Sequence, residues 1–140
     1  MKILLSIKPE YAEKILKGDK GYEFRRTLPK RFPLAGKTVV IYACRPIGKI
    51  IGEFSIETVI SGHPDRVWNE TKDQAGINWE YFDRYFSGHS IAHAIKVKQV
   101  WRYKEVRTLS SILGHNRPPQ SFCYLAPLES RRNLPIFFHL

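Results

Sequence analysis

The segment Thr38-Val39-Val40-Ile41-Tyr42-Ala43-Cys44 constrains this chain most. It carries no charge, it is rich in β-branched side chains, and it does not alternate. A strand of that kind must be covered on both faces, so the run predicts a buried strand inside a larger sheet. It is also far shorter than the roughly 20 apolar residues that a membrane-spanning helix needs.

The rest of the chain supplies partners for that strand. Residues Lys2–Ile7 read as a short first strand. Pro9 then opens a helix at the position where proline's missing N–H costs nothing. Ala12, Ile15 and Leu16 form the helix's apolar stripe, and Gly18 stops it. Tyr22 and Phe24 alternate with Glu23 and Arg25, which predicts a strand with a bulky face and a charged face. Arg45-Pro46-Ile47-Gly48 is a turn, and Lys49–Ile60 is a long strand with a kink expected at Gly52. Helices follow at 64–69 and at 79–86, the second capped by Asn78 and ended by Gly88. Ile91–Tyr103 is a further strand, 108–113 a helical turn, and Ser121–Leu125 the last strand. Many strands with few, short helices point to the α+β class and a small mixed barrel rather than a βαβ fold.

At 140 residues, with 43% hydrophobic and 13% aromatic side chains, the chain suits one domain with one real core and excludes a disordered or fibrous chain. The domain is expected over 1–126. The tail over 127–140, basic and then apolar at Ile136–Phe138, is expected to dock on the domain or on a protein partner. The N-terminal apolar stretch is broken by Lys8 and Glu10, so it does not read as a signal peptide. Cys44 and Cys123 sit in apolar runs without metal spacing and read as buried thiols of a reducing cytoplasm.

The formal charge of +10 is unevenly placed. Residues 1–36 carry nine basic and four acidic side chains, residues 37–95 six and seven, and residues 96–140 eight and two. If the last strand pairs beside the first, the two basic ends build one face, the footprint of phosphate binding. An anionic partner is therefore expected, RNA or a nucleotide first, and no membrane.

One motif stands out: Gly18-Asp19-Lys20-Gly21-Tyr22-Glu23-Phe24-Arg25, or G-x-K-x-x-E-x-R. Lys20 falls in the turn between helix and strand, where it reads as free of core packing. Glu23 and Arg25 share one strand face, directed away from the core. The motif thus sets cation, anion and cation side by side. Glu23 can hold a cation or accept a hydrogen bond from a base, while Lys20 and Arg25 can bind phosphate. An ordinary solvated ion pair has the same spacing.

The motif resembles the ASCH family, and the resemblance continues through Ser6–Ala12, Val39–Ala43, Ile51–Phe54, Ala75–Ile77, Tyr85–Gly88 and Pro118–Phe122, over roughly residues 2–126. It implies a PUA-like, partly closed mixed β-barrel of five or six strands with short helices at the rim. It implies binding of RNA or a modified nucleotide in a cleft beside Lys20, Glu23 and Arg25, with a regulatory use. One branch of the family hydrolyses acetylated cytidine with a motif lysine, a motif threonine and a later glutamate. Glu23 stands here in the threonine's place, and Glu70 and Glu80 lie near the region of the later glutamate. Other members are reported as ribonucleases, so the alternative is a hydrolase acting on RNA or on a modified nucleoside, with Lys20 and Glu23 catalytic.

Further candidates surround the motif. Arg26, Lys30 and Arg31 follow it as phosphate contacts. Arg45 and Lys49 flank a strand-end turn. Gln120 and Ser121 follow two prolines and can read a base edge. Trp79, Tyr81, Phe82, Tyr85 and Phe86 are too dense for one helix face, which leaves one or two to stack a base. His89 and His93 have i, i+4 spacing, but Gly88 ends the helix before them, so no metal site is expected. No phosphate-binding glycine loop or nucleophile elbow occurs, and no cofactor is expected. An enzyme needs Lys20 desolvated in a deep pocket, whereas a binder keeps it exposed in a shallow groove. Because Glu23 favours the charged amine, the exposed lysine is the expectation.

Overall fold

The β-branched run forms a strand at the centre of a six-stranded mixed sheet. The computed structural model describes residues 1–126, so the expected docking of the 127–140 tail lies outside the described residues. The elements are β1 (Lys2–Ile7), α1 (Pro9–Lys17), β2 (Tyr22–Arg25), β3 (Thr38–Ala43), β4 (Lys49–Gly62), α2 (Pro64–Thr71), a 3-10 turn (Lys72–Gln74), α3 (Trp79–Tyr85), β5 (Ala92–Arg107), α4 (Ser110–Leu113) and β6 (Phe122–Leu125). The sheet order is β2-β5-β4-β3-β1-β6. It curls into a half-barrel with short helices at its rim.

The strands are placed by burial and register. β3 lies parallel to β1, with Ile3 opposite Val39 and Leu5 opposite Ile41, so two apolar segments cover each other. β6 runs antiparallel to β1, with Lys2 opposite Leu125, so the last described strand pairs beside the first, as expected. Long antiparallel β4 and β5 form the opposite wall.

The kink expected at Gly52 is a register shift between Ile50 and Gly52. A Cβ at Gly52 would lie 2.5 Å from the Trp101 carbonyl oxygen, so only glycine allows β5 this close. β5 continues to Arg107, past the expected end at Tyr103, because Arg107 still pairs with Ile50.

Burial divides into three apolar clusters. Ile3, Leu5, Ile15, Ile41, Phe54 and Ile95 fill the barrel between sheet and α1. Leu4, Val40, Tyr42, Ile50 and Ile112 form a second cluster on the outer face of β1 and β3, closed by α4 and Leu125. Tyr22, Phe24, Val67, Phe82, Phe86 and Ala94 form the third, where α2 and α3 cover the outer face of β2 and β5. Cys44 and Cys123 are half-buried free thiols rather than fully buried ones.

Candidate functional site

The third cluster corrects two expectations about the motif. Alternation does put Tyr22 and Phe24 on one face of β2 and Glu23 and Arg25 on the other. The second face is not solvent. Glu23 pairs in register with Ile95, an interior residue, so its carboxylate points into the half-barrel. With α2 and α3 outside and the barrel inside, both faces of this four-residue strand are covered. Glu23 is only 5% exposed and Arg25 only 9%.

Lys20 is likewise buried, at 2% exposure, rather than free in its turn. Its Nζ donates to the Ala75 carbonyl at 2.6 Å and lies 4.6 Å from the Phe24 ring centroid and 5.4 Å from that of Tyr11. The neighbouring carbonyls are held too. The Gly21 amide donates to Gln74 O at 2.8 Å, and Lys14 Nζ donates to Gly76 O at 2.9 Å. Three consecutive carbonyls before α3 are therefore held by α1 and the motif turn. Gly76 sits at φ +70°, and a Cβ there would come within 2.5 Å of the Lys20 stem. Burial lowers the Lys20 pKa to about 8, with Glu23 opposing the shift and Lys14 adding to it.

Arg25 is almost fully engaged. Its Nη1 donates to Glu23 Oε2 at 2.9 Å and to the Ser6 carbonyl at 3.2 Å. Its Nη2 donates to the Ser121 carbonyl at 3.1 Å and to the Ser121 hydroxyl. Glu23 Oε1 accepts no hydrogen bond from the described residues. A buried carboxylate oxygen without a donor is uncommon and is the open valence of this site.

These groups line a pocket of about 210 Å³ between α1, β2, α3 and the segment before β6. Lys20, Glu23, Arg25 and Phe24 form one side, Tyr11, Ile77, Tyr81 and Tyr85 another, and Gln120 and Lys8 also face it. Tyr11 meets Tyr81 edge-on with centroids 5.5 Å apart. Tyr81 and Tyr85 lie nearly parallel, at 10° and 6.3 Å. Burial raises the pKa of Tyr11, with Tyr81 adding to it, and burial also raises that of Tyr85. Tyr11 and Tyr85 therefore stay neutral and offer O–H groups.

Of the dense aromatic run, Phe82 and Phe86 are core and Tyr81 and Tyr85 reach the pocket. Trp79 is 38% exposed and stacks on Phe82.

The other sequence candidates scatter. Gln120 lines the pocket, whereas Ser121 holds Arg25 from behind. Arg26 lies outside the pocket, its guanidinium 4.2 Å from the Tyr85 ring centroid. Lys30 and Arg31 donate their backbone amides to the Tyr124 hydroxyl, with the Arg31 side chain over that ring. Exposed Arg45 and half-buried Lys49 do not line the pocket. Glu70 pairs with Arg66 on α2, and Glu80 is exposed; neither lines the pocket. Lys8 and Tyr11 were missed by sequence reasoning. Their signal was position, since the first turn of a helix that leads into the motif packs beside it.

A second hollow, about 670 Å³, runs along β5 by Glu53, Trp101, Tyr103 and Arg107, and no motif residue lines it. Among the described residues no group of three or more His, Cys, Asp or Glu comes together, and no helix is long and apolar enough to cross a membrane.

Residues 5–111, which hold the motif and most of the pocket, match the family model of the ASCH domain. The chain belongs to the ASCH family. An ASCH domain-containing ribonuclease of Zymomonas mobilis is 30% identical over 131 residues, covering 92% of this chain and 87% of that protein. The crystal structure of ASCH from Zymomonas mobilis has a TM-score of 0.84 and 26% identity, covering 98% of this chain and 96% of that one. The N-terminal domain of Staphylothermus marinus McrB shares the fold, at a TM-score of 0.56 and 12% identity.

Proposed function

We propose that the pocket receives a nucleotide of RNA, the base entering among Tyr11, Tyr81 and Tyr85 and meeting Glu23. The observation that carries this reading is the unpartnered Glu23 Oε1. A buried carboxylate oxygen gains most from an N–H donor, and exocyclic amines and ring imino groups of nucleobases supply one beside a flat surface for aromatic contact. Lys20 and Arg25 outweigh Glu23 by one positive charge, which suits a phosphate-bearing ligand. Arg25 acts here as a positioning residue. Four of its hydrogen bonds are already made, so it fixes Glu23 rather than gripping phosphate.

A second reading, cleavage of RNA, is favoured by the Lys20 pKa of about 8. An amine with that pKa is partly neutral near neutral pH and can accept a proton. In such a step the neutral amine takes the proton of a ribose 2′-hydroxyl. The freed oxygen attacks the adjacent phosphorus, and the 5′-oxygen leaves with a proton drawn from solvent. The Zymomonas mobilis relative named a ribonuclease supports this reading.

One set of variants tests both. RNA affinity should fall at least about tenfold in Glu23→Gln, a loss of about 1.4 kcal/mol. Tyr81→Ala serves as a second pocket variant if the first is destabilised. Lys20→Arg keeps the charge, so it should retain most binding while abolishing any cleavage shown by the parent. Unchanged RNA affinity in both pocket variants contradicts the assignment. Cleavage that survives Lys20→Arg contradicts the catalytic reading alone.

A further inference from the structure

The outer end of β5 leaves the regular ladder. Gly52 pairs with Arg102 and Ile50 with Arg107, so between those pairs one residue of β4 faces four of β5. The surplus arches out of the ladder, and the hollow of about 670 Å³ lies beside it. Trp101, which lines it, is 45% exposed, and Val106 on the same stretch is 55% exposed. Glu53 is buried there and accepts from the Tyr103 hydroxyl at 2.7 Å and from Lys2 Nζ at 3.5 Å. Two cations of the lining have carboxylates beside them. Arg102 makes two hydrogen bonds to Glu13, at 2.9 and 2.8 Å, and Arg107 lies 4.0 Å from Glu105. Paired arginines beside an exposed indole suit an apolar occupant better than a row of phosphates.

The chain delivers such an occupant to this face. Leu125, the last residue of β6, and Tyr103, which lines the hollow, belong to the same outer cluster. Val40 of that cluster pairs with Glu53, and Glu53 pairs with Trp101, so cluster and hollow share one face of the sheet. Trp101 lies four strand spacings from Leu125, across β1, β3 and β4, or roughly 19 Å. Residues 126–134 span up to about 30 Å when extended, so the chain reaches Trp101 with slack. The stretch Leu134-Pro135-Ile136-Phe137-Phe138-His139-Leu140 carries no Asp, Glu, Lys or Arg. Arg131 and Arg132 come just before it, and the exposed Glu105 carboxylate lines the hollow.

We propose that the hollow along β5 is the docking site of the chain's own 134–140 segment. Ile136, Phe137 and Phe138 cover Trp101 and Val106, and Arg131 and Arg132 face Glu105.

Photocrosslinking from position 101 in the full chain tests this. With p-benzoylphenylalanine in place of Trp101, irradiation should join position 101 to residues 134–140 within one chain. Adducts that join two chains, or adducts that miss 134–140, overturn the proposal. Amide exchange gives a second readout. Trp101→Ser, at a half-exposed site outside the core, should speed exchange across 134–140 at least about tenfold. Phe137→Ser should likewise speed exchange across 101–107. Ile47→Ser, on an exposed turn remote from the hollow, is the control and should change neither. Exchange across 134–140 that matches a free peptide of the same sequence, or that ignores Trp101→Ser, overturns the proposal as well.

Discussion

Arg25 and Ser121 join the two edges of the sheet. Arg25 ends β2, one edge strand, and Ser121 immediately precedes β6, the other. No backbone ladder links these edges, and the guanidinium spans them through the Ser121 carbonyl and hydroxyl while also reaching Ser6 O on β1. The half-barrel is thus closed at this point by a side chain, and the pocket sits on that seam.

Replacing this fork with a single ammonium should open the seam. Arg25→Lys keeps the charge but cannot reach Glu23, Ser6 and Ser121 together, so a loss of about 3 kcal/mol is expected. Ser121→Ala removes only the hydroxyl contact and should cost about 1 kcal/mol. Urea unfolding measures both; an Arg25→Lys variant as stable as the parent would show that the seam is held elsewhere.

Gly76 is where backbone conformation and the buried lysine meet. Gly76→Ala places an L residue at φ +70° and drives its Cβ into the Lys20 stem. The strained conformation and the forced shift should together cost about 2–3 kcal/mol. RNA affinity should fall as Lys20 moves. A thermal melt matching that of the parent would mean that the loop relaxes freely.

Lys20 also predicts how stability depends on pH. In the unfolded chain its amine stays protonated up to about 10.5, whereas in the folded protein it loses the proton from about 8. Between those values the unfolded state binds more protons, so stability rises with pH. Below about 8 both states are charged, and the folded state bears the full cost of the buried ammonium. Relief across the window is roughly 3 kcal/mol. The stability of the parent minus that of Lys20→Met should climb by that amount over the window, a comparison in which tyrosine titration cancels. A flat difference would mean that the amine is effectively solvated.

The order of elements was legible because it rests on local chemistry. The β-branched run, Pro9 at a helix start, Gly18 at its end and the Asn78 side chain accepting from the Tyr81 amide are all short-range signals. Burial of the motif was not legible. Alternation distinguishes two faces of β2 but does not say that α2 and α3 cover one while the barrel takes the other. Lys20, Glu23 and Arg25 therefore read as solvated charges although tertiary packing buries all three. Arg45 and Lys49 read as a binding turn for the same reason in reverse, since only the fold shows which strand ends converge. The charged end of β5 fell outside the expected strand because its partner, Ile50, is remote in sequence.

The central claim is that RNA enters the pocket between α1, β2 and α3, and photocrosslinking tests it most directly. Single-stranded RNA carrying 4-thiouridine, irradiated with the protein and mapped by mass spectrometry, should form adducts at Tyr11, Tyr81 or Tyr85. Unlabelled RNA should compete those adducts away. Adducts confined to the outer end of β5, around Trp101 and Tyr103, would contradict the account.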